Sequence, residues 1–404
     1  MLLRTAGVAL AVVLLLSTPS HATCTAQVVG NQFVISGCTG GVVVQNDLTV
    51  TGANVFVQNG MGSTATTNGK GNLIVGYNEP RSDTTPADRA GSHNLIVGVR
   101  HHYPSYAGMA LGRQNTVSGP YSSVTGVGQN TASGNRSSVS GGQNNVASGD
   151  YSSVTGGAYN VANALGASVS GGGGLISGVP NGNQATGAYA SVSGGGANVA
   201  SGGQSSVTGG FSNIASGQVS SVSGGGANVA GPGDGAAVGG GGGFPAGVAS
   251  GNKATGAYAW VAGGISNQAT NQSTAVNGGS SNVASGLYAV VGGGEANEAT
   301  GERSVVSGGG SNQATGRYSA VSGGQGNTAG PSDAASVSGG LTNTASANYS
   351  SVSGGQSNSV TADVGSVTGG RSNQATAGYA SVSGGNTVSA SAVDSWAGGT
   401  VHSP

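Results

Sequence analysis

Side chains that could do acid–base, nucleophilic or metal chemistry are few in this chain, and they are scattered along it. The 12 Asp and Glu residues form no pair placed for general acid and general base work. Adjacent His101 and His102 would point to opposite faces of a strand, and no third metal ligand accompanies them. Serines are abundant, but no His and acid stand at a fixed distance from any of them. The sequence therefore predicts no catalytic residues, no metal and no cofactor.

Glycine-rich stretches are the other pattern that could bind a ligand. Runs of the GGxG type resemble phosphate-binding loops, but none is followed by Gly-Lys-Ser/Thr. Calcium-binding β-rolls repeat every nine residues and carry Asp in each repeat, which this chain does not. We therefore interpret these glycines as turn residues.

The most charged stretch contains Glu79, Arg81, Asp83, Asp88 and Arg89. It separates two similar segments, GNLIVG at 71–76 and HNLIVG at 93–98, so it is predicted to be a loop. Two interpretations stay open: a solvated insertion, or a recognition loop on a rigid support.

Composition excludes several classes of protein. The 404 residues include 83 glycines but only 10 prolines, and glycine does not recur at every third position as collagen requires. The 11 Lys and Arg residues balance the 12 acids, so there is no basic field for nucleic acid. A flexible linker or a repeat protein remains.

A short internal repeat decides between these two. The pattern YSSVSGGQSNQATG recurs with small changes, and its central valine keeps register over most of the chain. Most successive central valines are separated by the same number of residues as Val139 and Val154. Two of the intervals are one residue longer, and two are eight residues longer. The repeat is marked by two sets of residues: Val124, Val139, Val154, Val169, Val192, Val207, Val222, Val238, Val261, Val276, Val291, Val306, Val321, Val337, Val352, Val367 and Val382, and Asn115, Asn130, Asn145, Asn160, Asn198, Asn213, Asn228 and Asn252 through Asn327.

The period predicts an all-β parallel β-roll, or β-solenoid, with one coil per repeat. The Ser-Val-Ser triplet has strand periodicity, the Asn-x-Ala triplet is a second short strand, and glycines form the turns. About 20 such coils, stacked at roughly 4.8 Å, would make a rod about 90–100 Å long. Buried asparagines could form a side-chain ladder. The two longest steps, from Val169 to Val192 and from Val238 to Val261, read as insertions, at 172–180 and 240–248, that leave the roll on one face.

The amino terminus predicts export. Residues 1–22 combine Arg4, an apolar run and a small-residue cleavage motif, as a signal peptide does; a retained anchor helix is the alternative. Cys24 and Cys38 flank two strand-like segments around Gly30-Asn31, and we predict a disulfide that closes this hairpin. Residues 41–58 continue as alternating β-type sequence. We therefore assign 23–60 to a small β cap or attachment segment and 61–104 to atypical first coils with loops.

Tyrosines recur three residues before the central valine. One valine and one alanine per coil make a thin core, so lateral association would help to offset the backbone entropy. The tyrosines could line such an oligomer interface, or they could instead clamp neighbouring coils of a monomer. They are Tyr121, Tyr151, Tyr189, Tyr258, Tyr288, Tyr318, Tyr349 and Tyr379.

The repeat SVSGG-xx-N-x-A-S-G-x-YS resembles the YadA-like head repeat of trimeric autotransporter adhesins. The resemblance covers 105–398, and more loosely 71–76 and 93–98. It implies a left-handed parallel β-roll, a homotrimer, and binding to host matrix or other surfaces. The adhesins continue into a heptad stalk and a membrane anchor, whereas here a short tail, 399–404, follows the coil near Trp396. We therefore expect release, or attachment through the amino-terminal segment or a partner.

Together these patterns predict an exported, non-enzymatic structural or adhesive rod. Its ligand would be a host or matrix protein, a glycan or another cell-surface molecule, with no nucleic acid and no transmembrane segment in the mature chain. Two alternatives stay open: an ice-binding surface built from the Ser-x-Ser and Ser-x-Thr faces, and a glycan-processing enzyme.

Overall fold

A computed structural model describes residues 25–29, 32–36, 47–82 and 86–399. The predicted signal peptide 1–22, Cys24 and Cys38 with their predicted disulfide, and 400–404 of the tail lie outside the described residues. The chain divides into two compact units, Met1–Phe56 and Val57–Pro404. Asn59 bonds to Thr66 and His93 within the second unit, and the predicted bounds 23–60 and 61–104 stay predictions.

The described part of the first unit contains one antiparallel hairpin. Its strands, Thr25–Val29 and Gln32–Ser36, pair with Thr25 opposite Ser36, on either side of Gly30-Asn31 as predicted. No strand forms over 47–58, so the prediction of β-structure there is wrong for this part of 41–58. Alternation stabilises a strand only where a second strand pairs with it, and none does so here.

The second unit consists mainly of two parallel sheets whose strands alternate along the chain. We call them the valine sheet and the alanine sheet after their inward residues. The strands of the valine sheet are Leu73–Val75, Leu95–Val99, Met109–Arg113, Ser123–Val124, Ser138–Val139, Ser153–Val154, Ser168–Val169, Ser191–Val192, Ser206–Val207, Ser221–Val222, Ala237–Val238, Trp260–Val261, Ala275–Val276, Val290–Val291, Val305–Val306, Ala320–Val321, Ser336–Val337, Ser351–Val352, Ser366–Val367, Ser381–Val382 and Trp396–Ala397. Those of the alanine sheet are Thr116–Val117, Thr131–Ala132, Val146–Ala147, Val161–Ala162, Gln184–Ala185, Val199–Ala200, Ile214–Ala215, Val229–Ala230, Lys253–Ala254, Gln268–Ala269, Val283–Ala284, Glu298–Ala299, Gln313–Ala314, Thr328–Ala329, Thr344–Ala345, Ser359–Val360, Gln374–Ala375 and Ser389–Ala390.

Each strand pairs in parallel with the equivalent strand of the next coil. Val139 lies opposite Val154, which lies opposite Val169, and the alanine sheet keeps the same register. The insertions do not break it, since Val169 pairs directly with Val192. The chain is thus an all-β parallel β-solenoid of about 20 turns, about 15 residues apart, as the period predicts. Its handedness and its trimeric state stay predictions.

The coil also contains a third row of parallel contacts that the repeat did not predict. Single bridges join equivalent residues at the corner between the two sheets, for example Gly128 to Gln143 and Gln143 to Ala158. We call this line the bridge corner. The remaining elements are the 3₁₀ turns Pro86–Arg89 and Pro245–Gly247 and a small antiparallel hairpin, Leu175–Ile176 with Val179–Pro180. The described ranges contain no α-helix, and no helix in them has the length and apolarity to cross a membrane.

Glycine is required at one of the three left-handed turn positions of the typical coil; in the coil of Val124 this place is held by Val127, which is not left-handed. The second glycine of each Gly-Gly pair has positive φ, as at Gly210 with +85°, where a Cβ would collide with the carbonyl oxygen of Gly225 in the next coil. The other two positions hold mostly other residues, such as Ser212 with φ +56° and Tyr189 with φ +58°. The prediction that glycine supplies the turns is therefore correct at the first position and wrong at the other two, where hydrogen bonds to the adjacent coil hold the strained backbone.

Candidate binding surfaces

The valines and asparagines that mark the repeat lie inside the solenoid, so they build the surfaces without touching a ligand. The inward residues Val124, Val139, Val154, Val207 and Val222 are at most 1% exposed. They pack with the inward alanines into one continuous core along the second unit.

The asparagines form a ladder of buried amides beside this core. Asn130 accepts a hydrogen bond from the backbone N–H of Asn145 through its Oδ1 (3.0 Å), and Asn145 accepts one from Asn160 in the same way (3.0 Å). The Nδ2 of Asn145 donates to the carbonyl oxygens of Gly141 and Gly157, at 3.0 and 2.8 Å. The amide of each such asparagine thus joins its own turn to that of the next coil. The ladder includes four residues that the sequence count left out: Asn183, Asn343, Asn358 and Asn373.

The outer face of the valine sheet carries two parallel rows of hydroxyl groups. In each typical coil the residues on either side of the inward valine point outwards, as Ser138 and Ser140 do beside Val139. These rows run through the coils from Ser123 to Ser223 and again from Ser336 to Ser383.

Between these two runs, the outward residues that precede the inward valines are apolar, whereas those that follow the valines include Asn277, Ser307 and Ser322. Trp260 is 43% exposed and Val305 is 37% exposed, although their equivalents in most other coils are serines. We call this set of outward residues the apolar block: Ala237, Trp260, Ala275, Val290, Val305 and Ala320. It interrupts the first of the two hydroxyl rows, whereas the second row is interrupted from Gly239 to Gly292 and resumes at Ser307.

The predicted tyrosines lie on a turn that runs along one edge of the solenoid. The residue three positions before each inward valine or its equivalent adopts left-handed backbone, with φ between 54° and 65°. We call this line the tyrosine edge: Tyr121, Arg136, Tyr151, Gly166, Tyr189, Gln204, Val219, Gly235, Tyr258, Ser273, Tyr288, Arg303, Tyr318, Ala334, Tyr349, Val364, Tyr379 and Asp394. Its eight tyrosines are 42–67% exposed, so in the single chain they are surface residues.

Arginines fill two of the spaces between these tyrosines. The guanidinium of Arg136 lies 5.5 Å from the ring centre of Tyr121 and 5.4 Å from that of Tyr151, whose hydroxyl oxygen it also contacts at 2.7 Å. Arg303 lies in the same way between Tyr288 and Tyr318. These cation–π contacts join neighbouring coils at four of the eight tyrosines and leave the outer side of the rings exposed. For the row as a whole, the clamp and the oligomer interface both stay predictions.

Both insertions leave the solenoid at the bridge corner. One follows Gly173 and the other follows Gly242, each of which still bridges to the preceding coil. Their tips expose apolar side chains, including Val179 (64%) and Val248 (68%), and Phe244 packs edge-on against Phe211 at 5.6 Å. The insertions are four coils apart, a separation of about 19 Å.

The charged loop between the first two strands of the valine sheet, Leu73–Val75 and Leu95–Val99, is bonded to the coils that follow it. The described part of 77–93 contacts the solenoid through Arg81, which donates to the carbonyl oxygen of Gln114 at 3.3 Å, and through Asp88, which pairs with His102 at 3.2 Å. Tyr103 is buried and donates to Asn78 at 2.9 Å, and burial raises the pKa of its hydroxyl. The loop thus covers the start of the solenoid.

His101 does not act as an exposed metal ligand, because it is the first member of the amide ladder. It is 2% exposed; its Nδ1 accepts the backbone N–H of Asn115 (3.3 Å), and its Nε2 donates to the carbonyl of Val97 (3.1 Å). Burial lowers the pKa of His101, and the charge of Arg81 lowers it further, against hydrogen bonds that raise it. No group of three potential ligands from His, Cys, Asp and Glu occurs in the described part of the chain.

Acidification is expected to destabilise the first coils through His101. The pKa of His101 is about 6.5 in the unfolded chain and lower in the folded chain. The contribution of the neutral side chain to the stability of the first coils is therefore fully present above pH 6.5. It falls as the pH drops towards the folded pKa, with a slope of at most about 1.4 kcal/mol per pH unit. The protection factor of the Asn115 amide against hydrogen exchange should therefore fall between pH 7 and pH 5. His101→Asn restores the residue of the other coils and should remove that fall. An equal fall in the variant would assign the effect to another group.

These surfaces define the class of protein as a parallel β-solenoid with repetitive outer faces. The chain matches no family model and no curated protein. Its likeness to the YadA-like head repeat therefore rests on the repeat residues themselves.

Sequence reasoning missed two features, one on the surface and one inside the solenoid. The apolar block was visible only as breaks in the serine pattern, and its continuity across neighbouring coils emerges from the strand register. The position of His101 in the ladder was hidden because two of the first coils are each one residue shorter than the typical coil, as the pairing of Leu95 with Met109 and of Met109 with Ser123 shows.

Proposed function

We propose that this protein is an exported structural or adhesive rod that binds an extended or repetitive surface. One observation carries the proposal: register is kept from coil to coil along about 20 turns. Any outward residue type that recurs in the repeat is therefore presented at a fixed pitch along one line. Contacts that are individually weak would then act together through avidity.

The homotrimer is part of this proposal. It is supported by the resemblance of the repeat to YadA-like heads and by the small inward residues, mainly Val and Ala, of each coil. The apolar block is a second argument, since a soluble single chain rarely leaves a continuous apolar strip on an ordered sheet.

The proposal is tested by binding and by mass. The chain without residues 1–22 should bind immobilised matrix proteins, glycans or whole cells, and sedimentation equilibrium should give three times the mass of one chain. A variant with scrambled outward residues and intact inward residues is the control. Binding equal to that of the control on every surface would exclude adhesion, and a monomeric mass would exclude the trimer.

Ice binding is a second candidate, favoured by the regular hydroxyl rows of the valine sheet. The rows give a repeated array, but the apolar block and the outward Gly239 and Gly292 interrupt it. Thermal hysteresis at millimolar concentration tests it. No hysteresis would exclude this function and leave the adhesive rod unaffected.

A further inference from the structure

The tyrosine edge has a period of two coils. Counted coil by coil from Tyr121 to Tyr379, tyrosine occupies every second position except one, where Val219 stands. The coils between never carry it, and their residues vary from Gly166 and Gln204 to Arg303 and Ala334. All tyrosines of the edge thus belong to the same alternate set of coils, which we call their phase.

Packing within the solenoid does not account for this phase. The same turn, with the same left-handed φ, is formed by Ala334 (+56°) and by Val364 (+58°), so the fold accepts other side chains there. Left-handed backbone is unfavourable for a residue as large as tyrosine. The rings are also largely exposed, up to 67% at Tyr258 and Tyr349. The rings pack on the intervening coil, as Tyr189 does over Gly166 and Tyr258 over Gly235, and leave their other side in solvent. A row of strained tyrosines with one free side points to a ligand.

The spacing identifies the class of ligand. Coils stack at about 4.8 Å, so successive tyrosines are about 10 Å apart, which is also the length of the disaccharide unit in an extended β-1,4-linked glycan. In such a glycan every second sugar presents the same face. An exposed aromatic ring is a platform on which the apolar face of a sugar can stack.

We propose that the tyrosine edge binds a neutral, extended β-1,4-linked glycan of the chitin or cellulose type, with alternate sugars stacked on successive tyrosines. This inference rests on the proposed adhesive function and names its ligand.

The charges along the edge favour a neutral glycan over an acidic one. The residues of the edge and those just before them include six acids but three arginines: Asp150, Asp234, Glu302, Asp333, Asp363 and Asp394, and Arg136, Arg303 and Arg317. A polyanionic chain would meet net negative charge. The carboxylates could accept hydrogen bonds from sugar hydroxyls.

A polyproline helix has a similar repeat, about 9 Å for three residues, but it needs a different surface. Aromatic sites for such helices are grooves that receive the proline rings. Here the spaces between Tyr121 and Tyr151 and between Tyr288 and Tyr318 are filled by Arg136 and Arg303. At these two spaces the edge presents stacked rings and guanidinium groups in place of a groove, which suits the face of a sugar better than a proline ring.

The test is binding of the chain without residues 1–22 to insoluble chitin and cellulose, with starch, an α-linked glycan of different shape, as the control polymer. The triple variant Tyr318→Ala, Tyr349→Ala, Tyr379→Ala should bind at least about tenfold more weakly, since avidity is lost with each site. Ala334 shows that alanine fits this turn, and an unchanged thermal unfolding curve would confirm that the variant folds.

Variants that add a tyrosine test whether binding depends on the alternate-coil spacing of the tyrosines. Val219 lies in a hollow with Gln218, Asp234, Gly235 and Tyr258, so Val219→Tyr has room to complete the row. It should tighten binding to chitin or cellulose severalfold. Gln204→Tyr adds the same side chain to a coil of the other phase, and should not tighten it.

Three outcomes would overturn the inference: equal gains from Val219→Tyr and Gln204→Tyr, undiminished binding by the triple variant, or binding of a triple-helical collagen peptide in place of the glycans. Loss of glycan binding alone, with binding to matrix or cells retained, would refute the glycan and leave the adhesive rod standing. Failure on every surface would refute both.

Discussion

Replacing Gly210 by alanine is expected to lower the free energy of unfolding by about 3 kcal/mol or more. Gly210 has φ +85°, and an added Cβ would collide with the carbonyl oxygen of Gly225 and lie 2.6 Å from the Nδ2 of Asn213. The turn cannot move away, because the next coil is stacked directly against it. The substitution therefore strains one turn, displaces the next and disturbs the ladder at once.

Gly209→Ala is the matched control. Gly209 is the preceding residue, and its Cβ would meet nothing within 4 Å. The free energy of unfolding of this variant should lie within about 0.5 kcal/mol of that of the original chain. Urea unfolding followed by circular dichroism gives both values, and similar losses in the two variants would show that the stacking at Gly210 is looser than described. Because each coil contacts only its neighbours, the damaged coil could also divide the transition into two steps.

Replacing Asn213 by alanine is expected to cost about 3 kcal/mol, because one side chain serves several buried backbone groups. Its Oδ1 accepts the N–H of Asn228 at 3.0 Å, and its Nδ2 donates to the carbonyls of Gly209 and Gly225 at 2.8 and 3.0 Å. Gly225 keeps a second donor, the N–H of Phe211. The N–H of Asn228 and the carbonyl of Gly209 lose the partner that Asn213 supplies, and a buried unsatisfied group costs about 1–3 kcal/mol.

Two further variants separate the ladder from simple loss of packing. Ile214→Ala removes a larger, 37% exposed side chain from the adjacent position and should cost about 1 kcal/mol or less. Asn213→Asp keeps the shape but places a carboxylate against two carbonyl oxygens, so it should be at least as damaging as alanine at neutral pH. If Asn213→Asp were as stable as the original chain, the donated hydrogen bonds would not matter.

Much of the fold could be predicted because each coil repeats the same local pattern. The step from Val139 to Val154 determines which residues lie opposite one another, and alternation about each valine determines which side is buried. The position of the asparagines before the second strand likewise indicated a ladder. The details of the turns could not be predicted, since Tyr189 and Ser212 adopt left-handed backbone that their residue types disfavour. Only the stacking of the adjacent coil selects that conformation.

The phase of the tyrosines was present in the sequence but hidden by unequal coil lengths. The chain from Tyr151 to Tyr189 is longer than the chain from Tyr258 to Tyr288, yet each pair is separated by two coils. The insertion near 172–180 accounts for the difference. Counting residues therefore suggested one irregular row of tyrosines, and counting coils gives an alternating one.

The insertions at the bridge corner have a consequence for how the chain can change in length. Where eight or more residues are added, the ladder hydrogen bond from Asn183 to Asn160 is 2.8 Å and that from Asn252 to Asn228 is also 2.8 Å, against 3.0 Å from Asn145 to Asn130. The corner thus tolerates extra chain without altering the pitch of the rod. Foreign peptides grafted after Gly173 and Gly242 would therefore be displayed at a fixed separation, which is set by the number of coils between the two insertions.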